Sequence, residues 1–358
     1  MKKVLFLMKF MKGGGAEKVL LNILENLDKT QFDITLMIVF NEGIYLNKIP
    51  HHINFKYMFE NEDNRSNDLI KHYSHYIYNT FINEKYDVEI AFLEGICTKI
   101  ISESTQLSKK IAWVHIDLLN CHYTKFLYNN LAEEETVYKK FDNIIFVSKI
   151  VEKNFYQLFP LLNTKGEVLY NPIDIQNILH NSKKKNIHYK MKTFLSIGRL
   201  TDQKGFDRLI YATYRLSHHY QNFQVIILGE GPKYEKLEEQ IKSLNMEKYV
   251  LLKGFKKNPY PYIRSADVFI SSSRSEGLAL VLCEALILNK TIIATDCSGV
   301  REALNNGEYG LIVENTEEGI YLGMKKYLDE NFNFYIPKKI YEKFSIENTI
   351  NKIENIIK

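Results

Sequence analysis

Short runs of apolar, largely β-branched residues punctuate this chain, and between them lie segments whose apolar positions recur at helical spacing. In the first half the runs are Val4–Met8, Ile34–Val39, Val88–Phe92, Ile111–Val114 and Asn143–Val147. In the second half they are Phe194–Ile197, Gln224–Leu228, Val250–Leu252, Val268–Ser271, Thr291–Thr295 and Leu311–Val313. Ala16–Leu27, Leu69–Ile82, Lys233–Leu244, Leu278–Leu288 and Ile346–Lys358 read as amphipathic helices, with Ile70, Tyr73, Ile77 and Phe81 on one face of the second. Strands of about five residues alternating with helices commit a chain to parallel sheets covered on both faces. The series breaks once, at Tyr170-Asn171-Pro172 and the polar, Lys-rich stretch to Lys192, and Pro172 disfavours helix at Asn171. Two Rossmann-like domains therefore fit better than one closed barrel. The expected division is 1–170, 171–340, and a C-terminal helix within 341–358 packing back on the N-terminal domain.

Charge excludes several classes. The net +4 of the 358 residues is too small for a strongly basic nucleic-acid binder and has the wrong sign for an acidic disordered chain. Lys183, Lys184, Lys185, Lys190 and Lys192 read as a solvated interdomain loop. Cys97, Cys121, Cys283 and Cys297 show no CxxC or Cys/His ligand spacing, which argues against zinc and suits a reducing compartment. The run Val4–Met8 is too short for a signal peptide, is followed by Lys9 and Lys12, and reads as a first strand. No window approaches the ~20 apolar residues of a membrane span. A soluble, cytoplasmic protein is expected. The basic, Tyr-rich helix Lys71–Lys85 with Lys109-Lys110 is a candidate for peripheral membrane contact, although a packed amphipathic helix is the favoured reading.

Two open α/β domains place a ligand in the cleft between them, at the carboxyl ends of the strands, so four turns carry the functional argument. Gly13-Gly14-Gly15 follows the first strand and opens a helix, without the spacing of a dinucleotide fingerprint. Gly198-Arg199-Leu200 with Lys204-Gly205 puts two cations five residues apart, a pair suited to a diphosphate. Ser271-Ser272-Ser273-Arg274-Ser275-Glu276-Gly277-Leu278 leads to Glu284. Counted as continuous helix, Glu276 and Glu284 lie 80° apart after two full turns and face one cleft, as carboxylates that bind vicinal hydroxyls would. The amides around Leu278, Ala279 and Leu280 suit a phosphate. His115, after Ile111–Val114, is as consistent with a structural histidine as with a catalytic one.

Taken in order, Gly14-Gly15-Ala16-Glu17, Gly198-Arg199-Leu200 with Lys204-Gly205, the Glu276-x7-Glu284 pair, Glu302-Ala303-Leu304 and Asn306-Gly307-x-x-Gly310-Leu311 resemble the GT-B glycosyltransferases of family 4. The resemblance implies a GT-B architecture, two Rossmann-like parallel-sheet domains facing a central cleft. It implies a retaining hexosyltransferase that moves a sugar from a nucleotide-sugar donor, a UDP-sugar first, to a glycan or lipid-linked acceptor in surface polysaccharide or glycoconjugate assembly. By the same resemblance Arg199 and Lys204 would hold the diphosphate, Glu276 the transferred sugar and Glu284 the ribose. Gly14 and Gly15 would border the cleft, His115 would lie by the reacting carbon, and Gly198, Gly231, Phe255, Gly277, Leu278, Ala279 and Leu280 would border the nucleotide. Neither a metal nor another cofactor is expected, and Glu62-Asp63 is the nearest approach to a metal-binding DxD. Arg301 stands where the family usually has proline, adding a cation near the sugar or acceptor. A nucleotide-sugar epimerase and a non-catalytic partner subunit are the alternatives.

Overall fold

The computed structural model describes residues 1–163, 165–338 and 340–358. They form two compact units, Met1–Ile173 with Phe344–Lys358, and Asp174–Lys343. The first changeover falls beyond Pro172 because Ile173 is tied into the first unit: its N–H donates to the Phe344 carbonyl at 2.9 Å, and it bridges Ser345 in parallel.

The first unit carries seven parallel strands: β1 (Lys2–Met8), β2 (Phe32–Phe40), β3 (Asn54–Phe59), β4 (Val88–Ala91), β5 (Lys109–Val114), β6 (Asn143–Phe146) and β7 (Lys165–Val168). Their order is β3-β2-β1-β4-β5-β6-β7. Val4 of β1 pairs with Ile34 on one side and Val88 on the other. Val4, Leu5, Phe6 and Leu7 are all fully buried, which is why this strand reads as an unbroken apolar run. The helix Ile346–Ile357 returns to this unit and buries Ile350, Ile353, Ile356 and Ile357. Lys109 donates to the Ile356 carbonyl at 2.6 Å and Lys2 to that of Ile357 at 3.3 Å, so two cations satisfy the helix's last carbonyls. Lys109 is thereby committed within the fold.

The helix over Asn64–Phe81 buries Ile70, Ile77 and Tyr78. Tyr73 does not share that face: its backbone is non-helical (φ −132°, ψ 33°), and the kink leaves Tyr73 and Tyr76 exposed. Asp63 caps this helix through the Ser66 amide, and Glu62 pairs with Lys9 at 2.7 Å. The acidic dipeptide at 62–63 is thus engaged in structural contacts.

The second unit has six parallel strands: β8 (Lys192–Ile197), β9 (Phe223–Leu228), β10 (Val250–Leu252), β11 (Val268–Ser271), β12 (Thr291–Thr295) and β13 (Leu311–Val313). They are ordered β10-β9-β8-β11-β12-β13. The Lys-rich break is only partly loop, since Ile175–Ser182 is helical and the exposed Lys183, Lys184 and Lys185 follow it. Both sheets reverse direction beside their first strand, between β1 and β4 and between β8 and β11. In a doubly wound sheet this switch point is where the loops at the carboxyl ends diverge and leave a crevice. No described helix is long and apolar enough to cross a membrane.

Candidate active site

The second unit's switch point brings Lys204 and Glu276 together. β8 and β11 are hydrogen-bonded neighbours, so the chain leaving each emerges at the same edge. After β8 comes a turn through Gly198 and Arg199 to Lys204; after β11 come Ser272, Ser273 and Glu276. The Lys204 ammonium lies 2.5 Å from Glu276 Oε1, and the Ser273 hydroxyl donates to the same oxygen at 2.6 Å. A cation, a hydroxyl and a carboxylate thus converge on one point.

Local backbone chemistry explains the closeness. A Cβ on Gly198 would stand 3.2 Å from Lys204 Cδ and Cε, so the bare glycine gives the lysine stem room to lie along the turn. Gly205 adopts the left-handed conformation (φ 63°), and a Cβ there would stand 2.2 Å from the Ser272 carbonyl oxygen. The Ser272 hydroxyl donates to the Lys204 carbonyl at 2.9 Å, and Gln203 Nε2 donates to the Ser275 carbonyl at 3.0 Å. Behind these turns Arg208 donates to the carbonyls of Ser272 (2.7 Å) and Asn315 (2.9 Å). Arg274 grips Asp207 with both terminal nitrogens, at 2.9 and 2.7 Å. Burial alone would raise the Asp207 pKa, and Arg274 more than offsets it, leaving that carboxyl below its ordinary value.

The helix corresponding to Leu278–Leu288 begins only at Leu280, with Ala279 as a cap that has no side-chain hydrogen bond. Glu276 therefore precedes the helix, and the 80° helical angle does not describe its relation to Glu284. Lys204 and Ser273 hold Glu276, whereas Glu284, in the helix and 8% exposed, accepts the Tyr260 hydroxyl at 3.3 Å. Gly299 (φ 77°) lies so close to Gly277 that a Cβ would stand 2.0 Å from its carbonyl oxygen. Leu278 and Ala279 are buried in this turn. Cys297 lies nearby; burial first, then the Glu276 charge, push its thiol up to about 12.

The remaining residues of this unit divide by environment. Arg199 is exposed and makes no ion pair among the described residues, unlike Lys204. Gly231 packs against Leu200, where a Cβ would stand 2.6 Å from the carbonyl oxygen. The Phe255 amide donates to Glu230 Oε1 at 3.4 Å, so the exits of β9 and β10 meet. Arg301 forms an exposed pair with Asp296, donating from Nε at 2.9 Å, so this cation already has a partner within the fold. Sequence reasoning missed Ser273, Arg208, Asn315 and Tyr260. The Ser-rich approach to Glu276 was a usable signal for Ser273, but the others act through tertiary contacts alone.

In the first unit Gly14 caps the helix Gly15–Asn26 without a side-chain bond, and Glu17 Oε2 would lie 2.3 Å from a Cβ on Gly14. The buried Glu17 carboxylate already faces this helix start. His115 leaves β5 packed on Phe92, with ring centroids 4.9 Å apart. Burial lowers its pKa to about 3, against the partial compensation of a hydrogen bond to the Phe92 backbone. The unfolded chain therefore binds a proton from pH 6.5 downward while the folded ring stays neutral to about 3, so stability falls as pH drops through that window. Between pH 7.5 and 5 this group should cost about 2 kcal/mol. Urea midpoints at the two pH values should show a larger acid-side loss in the native chain than in His115→Asn; equal losses would contradict a buried neutral ring.

The glycosyl transferases group 1 model matches residues 178–345, the stretch holding Arg199, Lys204, Glu276 and Glu284. Residues 178–345 are a group 1 glycosyltransferase domain. The chain is 36% identical over 214 residues to an N-acetylgalactosamine-N,N'-diacetylbacillosaminyl-diphospho-undecaprenol 4-alpha-N-acetylgalactosaminyltransferase of Campylobacter jejuni, covering 58% of each chain. It is 33% identical to an uncharacterized glycosyltransferase of Methanocaldococcus jannaschii, over 61% of this chain and 56% of that one. The matched parts thus span under three fifths of these two relatives' lengths. Anabaena HepE, solved with UDP and glucose, superposes with TM-score 0.77 at 17% identity, covering 100% of this chain and 99% of that one. Sucrose-phosphate synthase of Thermosynechococcus elongatus gives 0.80 at 13% identity, covering 99% and 98%. These likenesses establish the GT-B fold class around the group 1 domain.

Proposed function

We propose that the chain is a retaining, metal-independent hexosyltransferase that moves a sugar from a UDP-sugar to a glycan or lipid-linked acceptor in surface polysaccharide or glycoconjugate assembly. One observation carries this reading: Lys204 and Glu276 meet at 2.5 Å at a doubly wound switch point inside a group 1 domain. A nucleotide sugar presents anionic phosphates beside neutral hydroxyls, and this junction offers a cation beside a carboxylate. Lys204, with the unpaired Arg199, stabilises charge on the departing diphosphate. Glu276 orients the transferred sugar through its hydroxyls, and Glu284 accepts from the ribose. The acceptor hydroxyl attacks on the face from which the diphosphate leaves, with a phosphate oxygen taking its proton, so configuration is retained.

The Campylobacter relative, named for a diphospho-undecaprenol substrate, supports a lipid-linked acceptor, and the UDP complex of HepE supports a uridine donor. Such an acceptor would bring the protein to the cytoplasmic face of a membrane, with the exposed Tyr73 and Tyr76 as candidate contacts.

The test incubates the purified chain with UDP- and GDP-sugars, a panel of polyprenyl-diphosphate glycans and EDTA. The expected result is sugar transfer from a UDP-sugar with anomeric configuration preserved. A saturating donor should also stabilise the fold by ~2.7 kcal/mol at 100 times its Kd. Epimerised donor without transfer would replace this reading with an epimerase, and the absence of any donor-induced stabilisation would overturn it.

A further inference from the structure

The first unit also has a switch point, and a buried carboxylate sits at it. β4 and β5 are neighbours in register, Ala91 beside Ala112, so the turns that leave them are adjacent. Glu94 lies in the turn between β4 and the helix Ile96–Ile101 and is 3% exposed. Its Oε2 accepts the His115 main-chain N–H at 2.8 Å. Its Oε1 accepts the Tyr123 hydroxyl at 2.7 Å, from the short helix Tyr123–Leu127. Gly95 (φ 81°) closes this turn against Thr124, whose Cγ2 would stand 2.9 Å from a Cβ there.

The His115 side chain is tied to the same turn by a second route. The ring stacks near Trp113, with centroids 6.0 Å apart at 16°, and hydrogen-bonds to the Phe92 backbone. Its Nε2 is buried and has no hydrogen-bond partner among the described residues. Nδ1 is therefore the nitrogen that gives its proton to the Phe92 carbonyl, and Nε2 carries a bare lone pair. Two bonds thus run between residues 92–94 and residue 115, one through the main chain of 115 and one through its ring. Elsewhere in the unit Glu89 takes the hydroxyls of Tyr78 (2.5 Å), Ser104 (2.6 Å) and Ser108, a closed cluster that leaves no atom seeking a partner. The Glu94 arrangement differs in ending on an unsatisfied acceptor at a strand exit. Buried polar atoms are ordinarily satisfied, so an orphan there marks where an O–H of a ligand completes the set.

We propose that Glu94 is a positioning residue for His115: by accepting the His115 amide it holds the ring against the Phe92 carbonyl, so that Nε2 stays a lone-pair acceptor for a hydroxyl of a sugar bound at this strand exit. The proposal rests on the glycosyltransferase reading for that sugar, while the fixed ring state is a property of the unit itself. Glu94 touches no substrate and acts through His115 alone.

The test joins a spectroscopic and a kinetic readout on the full chain. Ring 15N spectra at pH 7.5, with His115 assigned by its loss in His115→Asn, should show a protonated Nδ1 and a bare Nε2. Glu94→Ala should mix the two tautomers, and Glu94→Gln, which keeps one acceptor oxygen, should restore the native pattern. For transfer, Glu94→Ala should lower kcat about 30-fold with donor KM within about twofold, as a misdirected group does. The double variant Glu94→Ala/His115→Asn should be no slower than His115→Asn alone. If Glu94→Ala does not fold, Tyr123→Phe, which frees Oε1 and loosens the same turn, should broaden the His115 signals instead. An unchanged ring spectrum, or multiplicative losses in the double variant, overturns the proposal. A native chain inactive with every donor but showing the expected spectral change would leave Glu94 in its role and remove the transferase reading.

Discussion

Lys204→Ala should reduce kcat/KM for transfer by about 1,000-fold and leave the chain folded. A fixed cation aimed at developing charge contributes about 3–4 kcal/mol to a transition state, and little else in the local structure replaces Lys204. Arg199 sits six residues from Gly205, on an exposed part of the turn, and among the described residues forms no ion pair with Glu276. The stability cost is smaller for a definable reason. The Lys204 side chain is 20% exposed and that of Glu276 9%, so truncation leaves a largely buried carboxylate without its cation. Ser273 still donates to it at 2.6 Å, which keeps the loss to about 1–3 kcal/mol. Lys204→Met separates the two roles, since it retains the stem against Gly198 and deletes only the charge. Both variants should lose transfer alike and both should lower the thermal midpoint, since each leaves Glu276 without its cation, and the smaller drop in Met measures the stem's packing against Gly198. Native-like turnover in either variant would remove Lys204 from the site.

Most of this fold was legible because buried parallel strands declare themselves as apolar runs. The strands that escaped notice are the first sheet's two edges, β3 and β7, and the reason is physical. An edge strand is covered less completely, so Asn54–Phe59 breaks its apolar run with Asn54 and Lys56, and Lys165–Val168 offers one β-branched side chain. The helix Ile175–Ser182 was hidden by the lysines that follow it. At the candidate site, residue types and strand ends pointed to Lys204 and Glu276, which the fold brings together, but angular reasoning failed because the helix starts four residues after Glu276. What holds Glu276 is Ser273 and a cation from another strand's exit, a relation fixed by sheet order. Glu94 was missed for the same cause: nothing local marks it, and its partners lie 21 and 29 residues away.

The same dependence on close approach makes Gly205→Ala the more informative lesion, although it removes no functional group. Gly205 has φ 63°, a conformation that costs an L-residue about 1 kcal/mol. The added methyl would also stand 2.2 Å from the Ser272 carbonyl oxygen, which is backbone and cannot rotate aside. One of the two turns must move, and Lys204 rides on one while Glu276 rides on the other. Arg208 resists that movement, because its guanidinium anchors Ser272 to Asn315. Strain and displacement together should lower stability by about 2–4 kcal/mol and kcat/KM by about 100-fold. Gly307→Ala provides the contrast: it shares a positive φ of 100°, yet nothing lies within 4 Å of its added Cβ. That variant should lose about 1 kcal/mol and no transfer. Thermal midpoints and initial rates measured on the pair therefore distinguish backbone strain from separation of Lys204 and Glu276, and equal rates in both variants would show that this approach is not what sets catalysis.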